Sequence, residues 1–303
     1  MSLEIFVDEV PRERTIWEAI VGQPLMREAM AAVRVRKPRE GLVWSIATPL
    51  DVPRLLASYE ACLREVGRPR GFANREGIEG PYRSISLAYN PDHQDGLDPF
   101  FSTLGTPQNG AKEFYALFRP NEQPQRKNSY WDTLGFREIH PTIARHFGWF
   151  IDSFKGKLVR SRVASLVHTE YDRIAEPDFN WHIDESPFCN LRLNIPLVTA
   201  PQYLMEIDSE HIPKGYQSRA PAGRNLRWRG HLAVGGCYSW NTELPHRVFA
   251  DAPPALDRVH IVLGFSPWFE WDPKRRSWRA NAHFGVDHPY DMLDGMIGSG
   301  APA

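Results

Sequence analysis

The chain has 303 residues, 42% hydrophobic and 24% charged, with a formal net charge of -1. This balance belongs to a soluble globular protein and excludes a global basic field for nucleic acid or an acidic tail. Three widely spaced cysteines without a CxxC pair, no basic-then-apolar leader and no apolar run of the roughly 18 to 20 residues that span a bilayer lead us to expect a cytoplasmic protein with no membrane partner.

In chain order, TIWEAIVGQPLMREAMAAVRVR (15–36) carries apolar residues at helical spacing, with Pro24 breaking or restarting the helix. GLVWSIATPL (41–50) reads as a strand. DVPRLLASYEACLREVG (51–67) reads as a helix, with Asp51 as its cap, Pro53 in its first turn and Gly67 after its end. YRSISLAYN (82–90) is a second strand. Residues 91–135 are polar and rich in Gly, Pro and Asn, the composition of long functional loops. REIHPTIARHFGWFIDSFKG (137–156) is amphipathic and helical. Strand patterns then dominate, over 158–171, 190–199, 202–208, 231–240, 246–250 and 258–268, with a final WFEW…SWRA hairpin. Twenty-six prolines among 36 Phe, Trp and Tyr residues fit short strands and irregular loops better than a long helical bundle. The expectation is a mainly β sandwich or barrel within one catalytic domain over 1–303. Residues 1–157 form a helical and looped N-terminal part with two strands, 158–270 the β-barrel, and 271–303 a C-terminal extension.

The sequence offers three His-x-Asp/Glu pairs: His93-Gln94-Asp95, His168-Thr169-Glu170 and His182-Ile183-Asp184. Such a pair with a distant His is the 2-His-1-carboxylate triad of non-haem Fe(II) oxygenases, which leaves one face of the metal open. The first pair lies in a polar loop and reads as a solvated turn. The second ends a strand, and no Arg-bearing strand follows it directly. The third precedes NLRLNIPLVT, whose alternation places Arg192 and Asn194 on one face and Leu191, Leu193 and Ile195 on the other. Farther on, His246 opens a short strand and Arg258 opens the next. That is the order expected when the His completes the triad and the Arg meets a carboxylate with its planar fork.

On SLVH (165–168), WHIDESPFCNLRLNIPLVT (181–199) and the N-x4-H-x11-R-x-H-I pattern across 241–261, the chain resembles the aspartyl/asparaginyl β-hydroxylase-like branch of the Fe(II)/2-oxoglutarate dioxygenases. The resemblance covers roughly residues 158–266. It implies a double-stranded β-helix, the jelly-roll or cupin-like core, wrapped by the N-terminal helices. It implies iron on His182, Asp184 and His246, and 2-oxoglutarate held by Arg192 and Arg258 with Ser165 as a helper. Dioxygen is the further co-substrate. One departure is Asn194, which stands where the branch carries a His after Arg-Leu. Asp184 favours hydroxylation over halogenation, whose enzymes leave that position open for chloride.

For substrate contacts the loops of 91–135 offer Arg119, Tyr130 and Trp131, and the 82–90 strand offers Arg83. The expected substrate is a small molecule bearing a carboxylate, such as an amino acid or a biosynthetic intermediate. A peptide or protein substrate, a desaturating or cyclising outcome, and a non-catalytic cupin-like binding protein are the alternatives.

Overall fold

In the computed structural model the described residues are 3–11, 14–35, 39–67, 70–73, 79–91, 132–152, 154, 158–211 and 225–296. His93, Asp95, Arg119, Tyr130 and Trp131 lie outside them.

The helices start where their first turns are capped. Thr15 and Glu18 satisfy each other's amides at 3.0 and 2.8 Å, a capping box that opens α1 (Ile16–Val21). Pro24 begins α2 (Pro24–Arg34), so the proline restarts the helix. The Asp51 carboxylate accepts from the Arg54 amide at 3.0 Å and opens α3 (Val52–Val66), which ends at Gly67 with φ +86. The helix expected from 137 begins instead at Pro141, as α4 (Pro141–Ile151). A residue before proline is disfavoured in the α region, whereas proline itself fits a first turn. A short α5 covers Tyr171–Ile174.

The strands are β1 (Glu4–Phe6), β2 (Val43–Ser45), β3 (Arg70–Ala73), β4 (Glu79–Ser86), β5 (Arg162–Leu166), β6 (Leu191–Val198), β7 (Tyr203–Asp208), β8 (Arg227–Gly230), β9 (Tyr238–Trp240), β10 (His246–Ala250), β11 (Arg258–Phe265), β12 (Phe269–Asp272) and β13 (Ser277–Ala280). They form a large antiparallel sheet in the order β2-β9-β6-β11-β5-β4-β3, a small one in the order β10-β7-β8, and a third in the order β1-β13-β12. His182 adds one bridge to β10 at the free edge of the small sheet. From β5 to β11 the chain therefore alternates between the large and small sheets: β5, the 182 bridge, β6, β7 with β8, β9, β10, β11. That winding is a jelly roll, the double-stranded β-helix.

Two strand expectations shift. The segment 231–240 holds a turn through Gly235 (φ +81), and only Tyr238–Trp240 pairs, while the polar RWRG before it forms β8. The strand expected over 158–171 ends at Leu166, and His168–Glu170 is a 3-10 turn.

Paired residues in an antiparallel sheet project to the same face. On the large sheet, Val163, Leu191, Leu193, Ile195, Val259, Ile261 and Leu263 pack against Leu55 of α3 and Ile143 and Phe147 of α4. The opposite face looks into the barrel. It carries Tyr82, Leu166 and Arg258 in one row and Ser84, Ala164, His260 and Pro196 in the next. Arg162, Val262, Asn194 and Tyr238 make a third. Facing them from the small sheet and its rim are Met205, Ile207, Leu244 and Val248, clustered with Trp240.

Candidate metal centre

His182 and His246 are paired across the barrel edge. The His182 amide donates to the His246 carbonyl at 3.0 Å, and the reverse bond has the same length. Their rings lie 4.4 Å apart between centroids. Asp184 follows on the same side of the extended segment, its amide bonded to the Thr242 carbonyl at 3.1 Å.

Each imidazole is oriented through its far nitrogen. His182 Nδ1 donates to the Asn180 carbonyl at 2.7 Å, and His246 Nδ1 donates to the Leu244 carbonyl at 2.8 Å. This fixes the tautomer and turns each Nε2 lone pair toward Asp184, the arrangement of a metal-ligating histidine. His182 Nε2 lies 3.6 Å from Asp184 Oδ1, and His246 Nε2 lies 3.2 Å from Asp184 Oδ2. One donor atom from each of the three residues lies within 4.8 Å of the others, and they are the one such group of three among the described residues. His246 Nε2 and Asp184 Oδ2 are buried with no hydrogen bond of good geometry. Buried acceptors that converge without a proton between them fit a divalent cation.

Charge follows the same pattern. Burial, reinforced by the second imidazole, lowers the His182 pKa to about 4, so the ring stays neutral. Burial alone would raise Asp184, but Arg192 and the two histidines outweigh it and hold the carboxyl well below its usual range. A neutral imidazole and an ionised carboxylate are the ligating forms.

The competing pair does not assemble. His168 Nδ1 contacts Asp257 at 2.6 Å, and that carboxylate also accepts the His168 amide at 2.8 Å, a part-buried pair.

Arg258 is 6% exposed, and its one hydrogen bond to a described side chain is Nη2 to His260 Nδ1, at 2.8 Å. Among the described residues no carboxylate lies within ion-pair distance of it. Burial lowers its pKa to about 10, only partly offset by the nearby Tyr82 and Tyr203. Because His260 Nδ1 accepts, the hydrogen of its neutral ring sits on Nε2, which is buried and unpartnered. Burial and the adjacent Arg258 keep that ring neutral by pushing its pKa well below the usual value. Asn194 Nδ2, on the same inward face, is a second buried donor without a partner. Arg258, His260 and Asn194 thus offer donors and no negative charge, a lining suited to a carboxylate.

Three expectations are corrected. Arg192 faces inward but is already engaged: Nη1 lies 2.5 Å from Asp184 Oδ2, and Nη2 donates to Glu185. The guanidinium thus sits between two carboxylates. Ser165 lies on the helix-facing side of β5, in register with Val259, and its hydroxyl meets Tyr59 of α3. Arg83, in register with Ser165, shares that outer face. The odd-numbered residues of β5 and β4 point away from the barrel, so neither side chain reaches its interior. Trp181 packs outside as well, stacked on His211 at 4.1 Å between centroids with Arg247 over its ring.

The sequence reading missed Glu185 and Arg160. Glu185 directly follows the ligand Asp184, and a second acid beside a ligand was the available signal. Arg160 carried none, because its role depends on a backbone turn.

No protein-family model matches the chain, and no curated protein is similar to it. Among solved structures, an oxidoreductase of the 2OG-Fe(II) oxygenase family from Burkholderia pseudomallei is 13% identical over 81% of this chain and 92% of its own, with a TM-score of 0.37. The epimerase SnoN in complex with Fe3+, alpha ketoglutarate and nogalamycin RO is 13% identical over 92% of each chain, with a TM-score of 0.34. A prolyl hydroxylase from Trichoplax adhaerens, in complex with a hypoxia inducible factor peptide fragment, is 12% identical over 88% and 97%, with a TM-score of 0.35. None of the three names the aspartyl/asparaginyl β-hydroxylase-like branch, which stays an expectation from the sequence.

Proposed function

We propose that the protein is an Fe(II)/2-oxoglutarate-dependent oxygenase that hydroxylates an unactivated C–H bond of a small molecule. The convergence of His182 Nε2, Asp184 and His246 Nε2 at the barrel edge carries this reading. Two imidazoles and one carboxylate are the donor set of a non-haem iron site with open positions. Arg258, a buried cation without a described counter-charge, supports 2-oxoglutarate as the second component.

With 2-oxoglutarate and dioxygen, such an iron supplies the oxidising chemistry: substrate C–H becomes C–OH, and 2-oxoglutarate becomes succinate and carbon dioxide. The protein holds and orients. His182, Asp184 and His246 would bind the metal. Arg258, with the Nε2–H of His260 and the amide of Asn194, would hold the carboxylate of 2-oxoglutarate farthest from the metal. Trp240, Met205 and Val248 give the interior an apolar wall that excludes water from the reacting bond. A small carboxylate-bearing substrate, such as an amino acid or biosynthetic intermediate, remains the expectation from the sequence.

The test is anaerobic addition of Fe(II) and 2-oxoglutarate to the purified protein, followed by visible absorption. A weak metal-to-ligand band that is lost in His182→Ala and weakened in Arg258→Ala supports the reading. Folded wild-type protein without the band excludes it, and a cupin-like binding protein becomes the better account. Succinate release with candidate substrates then identifies the C–H bond oxidised.

A further inference from the structure

A chain of buried and part-buried ions leads away from Asp184. Arg192 lies against Asp184 and also donates to Glu185. Glu185 in turn accepts from Arg160, and its Oε1 accepts from the Thr133 hydroxyl at 3.0 Å. Arg160 and Arg192 are 7% and 5% exposed. Glu185 stays ionised: burial opposes it, but Arg192 and Arg160 outweigh that. The four ions are two of each sign, so the chain is neutral without a metal.

Such a network is costly to bury and is weak evidence for stability. Its geometry here has a direction. Arg160 holds a left-handed backbone, φ +39, rare for a residue with a side chain. That strain is maintained in a buried residue whose amide donates to the Phe136 carbonyl at 3.1 Å and whose guanidinium ends on Glu185. Asn180, with φ +57, is the counterpart on the other side, and its carbonyl fixes His182 Nδ1. Asn180 lies one contact behind the ligand candidate His182, and Arg160 lies three contacts behind Asp184, through Glu185 and Arg192. Thr242 adds a third support, accepting the Asp184 amide and donating its hydroxyl to the Glu185 carbonyl at 3.3 Å.

From this we infer that Arg192, held by Glu185 and Arg160, is a positioning residue that fixes the orientation of the Asp184 carboxylate as a metal ligand, and that it does not bind the co-substrate. The inference rests on the metal-site reading above. It makes a prediction of sign. Arg192 is a cation beside the metal position, so deleting its charge alone would tighten metal binding by removing repulsion. Deleting a residue that aims a ligand weakens it, by about 10- to 100-fold for such outer partners.

The experiment is Co(II) titration of the full chain by ligand-field absorption, then 2-oxoglutarate titration of the Co(II)-loaded protein by calorimetry. Arg192→Met is expected to weaken Co(II) binding about 10- to 100-fold. Its saturated ligand-field spectrum should be altered, which a general loss of stability would not produce, and 2-oxoglutarate affinity of the loaded protein should be unchanged. Arg192→Lys should recover part of the Co(II) affinity. Equal or tighter Co(II) binding by Arg192→Met overturns the inference. So does lost 2-oxoglutarate affinity with Co(II) binding intact, which assigns Arg192 to the co-substrate. If Arg192→Met does not fold, the double variant Arg192→Met/Glu185→Gln removes both charges together and is judged by the same outcomes. Failure of the wild-type protein to bind Co(II) is a separate result, and it overturns the metal-site reading itself.

Discussion

His182 and His246 exchange both backbone hydrogen bonds, each at 3.0 Å, and hold their rings 4.4 Å apart. The pairing is made by the main chain, so it does not depend on either imidazole. His182→Ala should therefore leave the melting temperature of the metal-free protein nearly unchanged and weaken Co(II) binding by more than the ~100-fold associated with outer partners. His168→Ala should leave Co(II) binding intact, since that ring is spent on Asp257. Calorimetric titration of the two variants in parallel checks both statements.

Arg258 gives a prediction of opposite signs in stability and binding. A buried cation without a counter-charge costs the empty protein desolvation, so Arg258→Met should hold or raise its melting temperature. The same change should cost 2-oxoglutarate affinity about 2 to 5 kcal/mol, the range for one partner of a buried charge pair. A melting temperature well below that of wild type would show that a counter-charge is already in place.

The stability of the metal-free protein should fall as the pH drops below about 6.5. His182 and His260 have folded-state pKa values below that of the unfolded chain. Between the two values the unfolded chain binds more protons, so acid favours unfolding. The contribution is fully present above about 6.5 and is lost as the pH falls, through about 4 for His182. Asp184 and Glu185, also depressed, extend the loss to lower pH. Thermal melts across this range should show the slope, and His260→Asn should flatten it.

Gly264 sits in β11 opposite Arg192. A Cβ there would lie 2.2 Å from the Val159 carbonyl oxygen and 2.3 Å from Asn190 Oδ1. Gly264→Ala should cost about 1 to 3 kcal/mol by overpacking, read as a lower denaturant midpoint with an unchanged slope.

Much of the barrel is visible in alternation alone. LRLNIPLV and RVHIVLGF pair antiparallel, with Leu191, Leu193, Ile195, Val259, Ile261 and Leu263 toward the helices and Arg192, Asn194, Arg258 and His260 inward. The metal candidates were legible because His182 and Asp184 lie two apart on an extended segment, so local spacing stands in for three-dimensional proximity. Arg192 was misread because alternation gives the face of a side chain and not its partner. Only the fold brings it against the two acids before β6. Ser165 and Arg83 failed on parity: one residue's difference along β5 or β4 changes the face. Glu185 and Arg160 could not be linked from sequence, since their contact passes through a left-handed turn that no residue type at 160 announces.

The single bridge between His182 and His246 has a consequence for how the site is loaded. It brings two distant points of the chain together through backbone hydrogen bonds alone. An ion shared by their side chains fastens a loop already closed and carries no further loop-closure entropy. A metal bound there would add to stability by mass action without being required for folding, unlike in small zinc domains where the two are one event. The barrel should keep its shape through repeated loss and reloading of the ion.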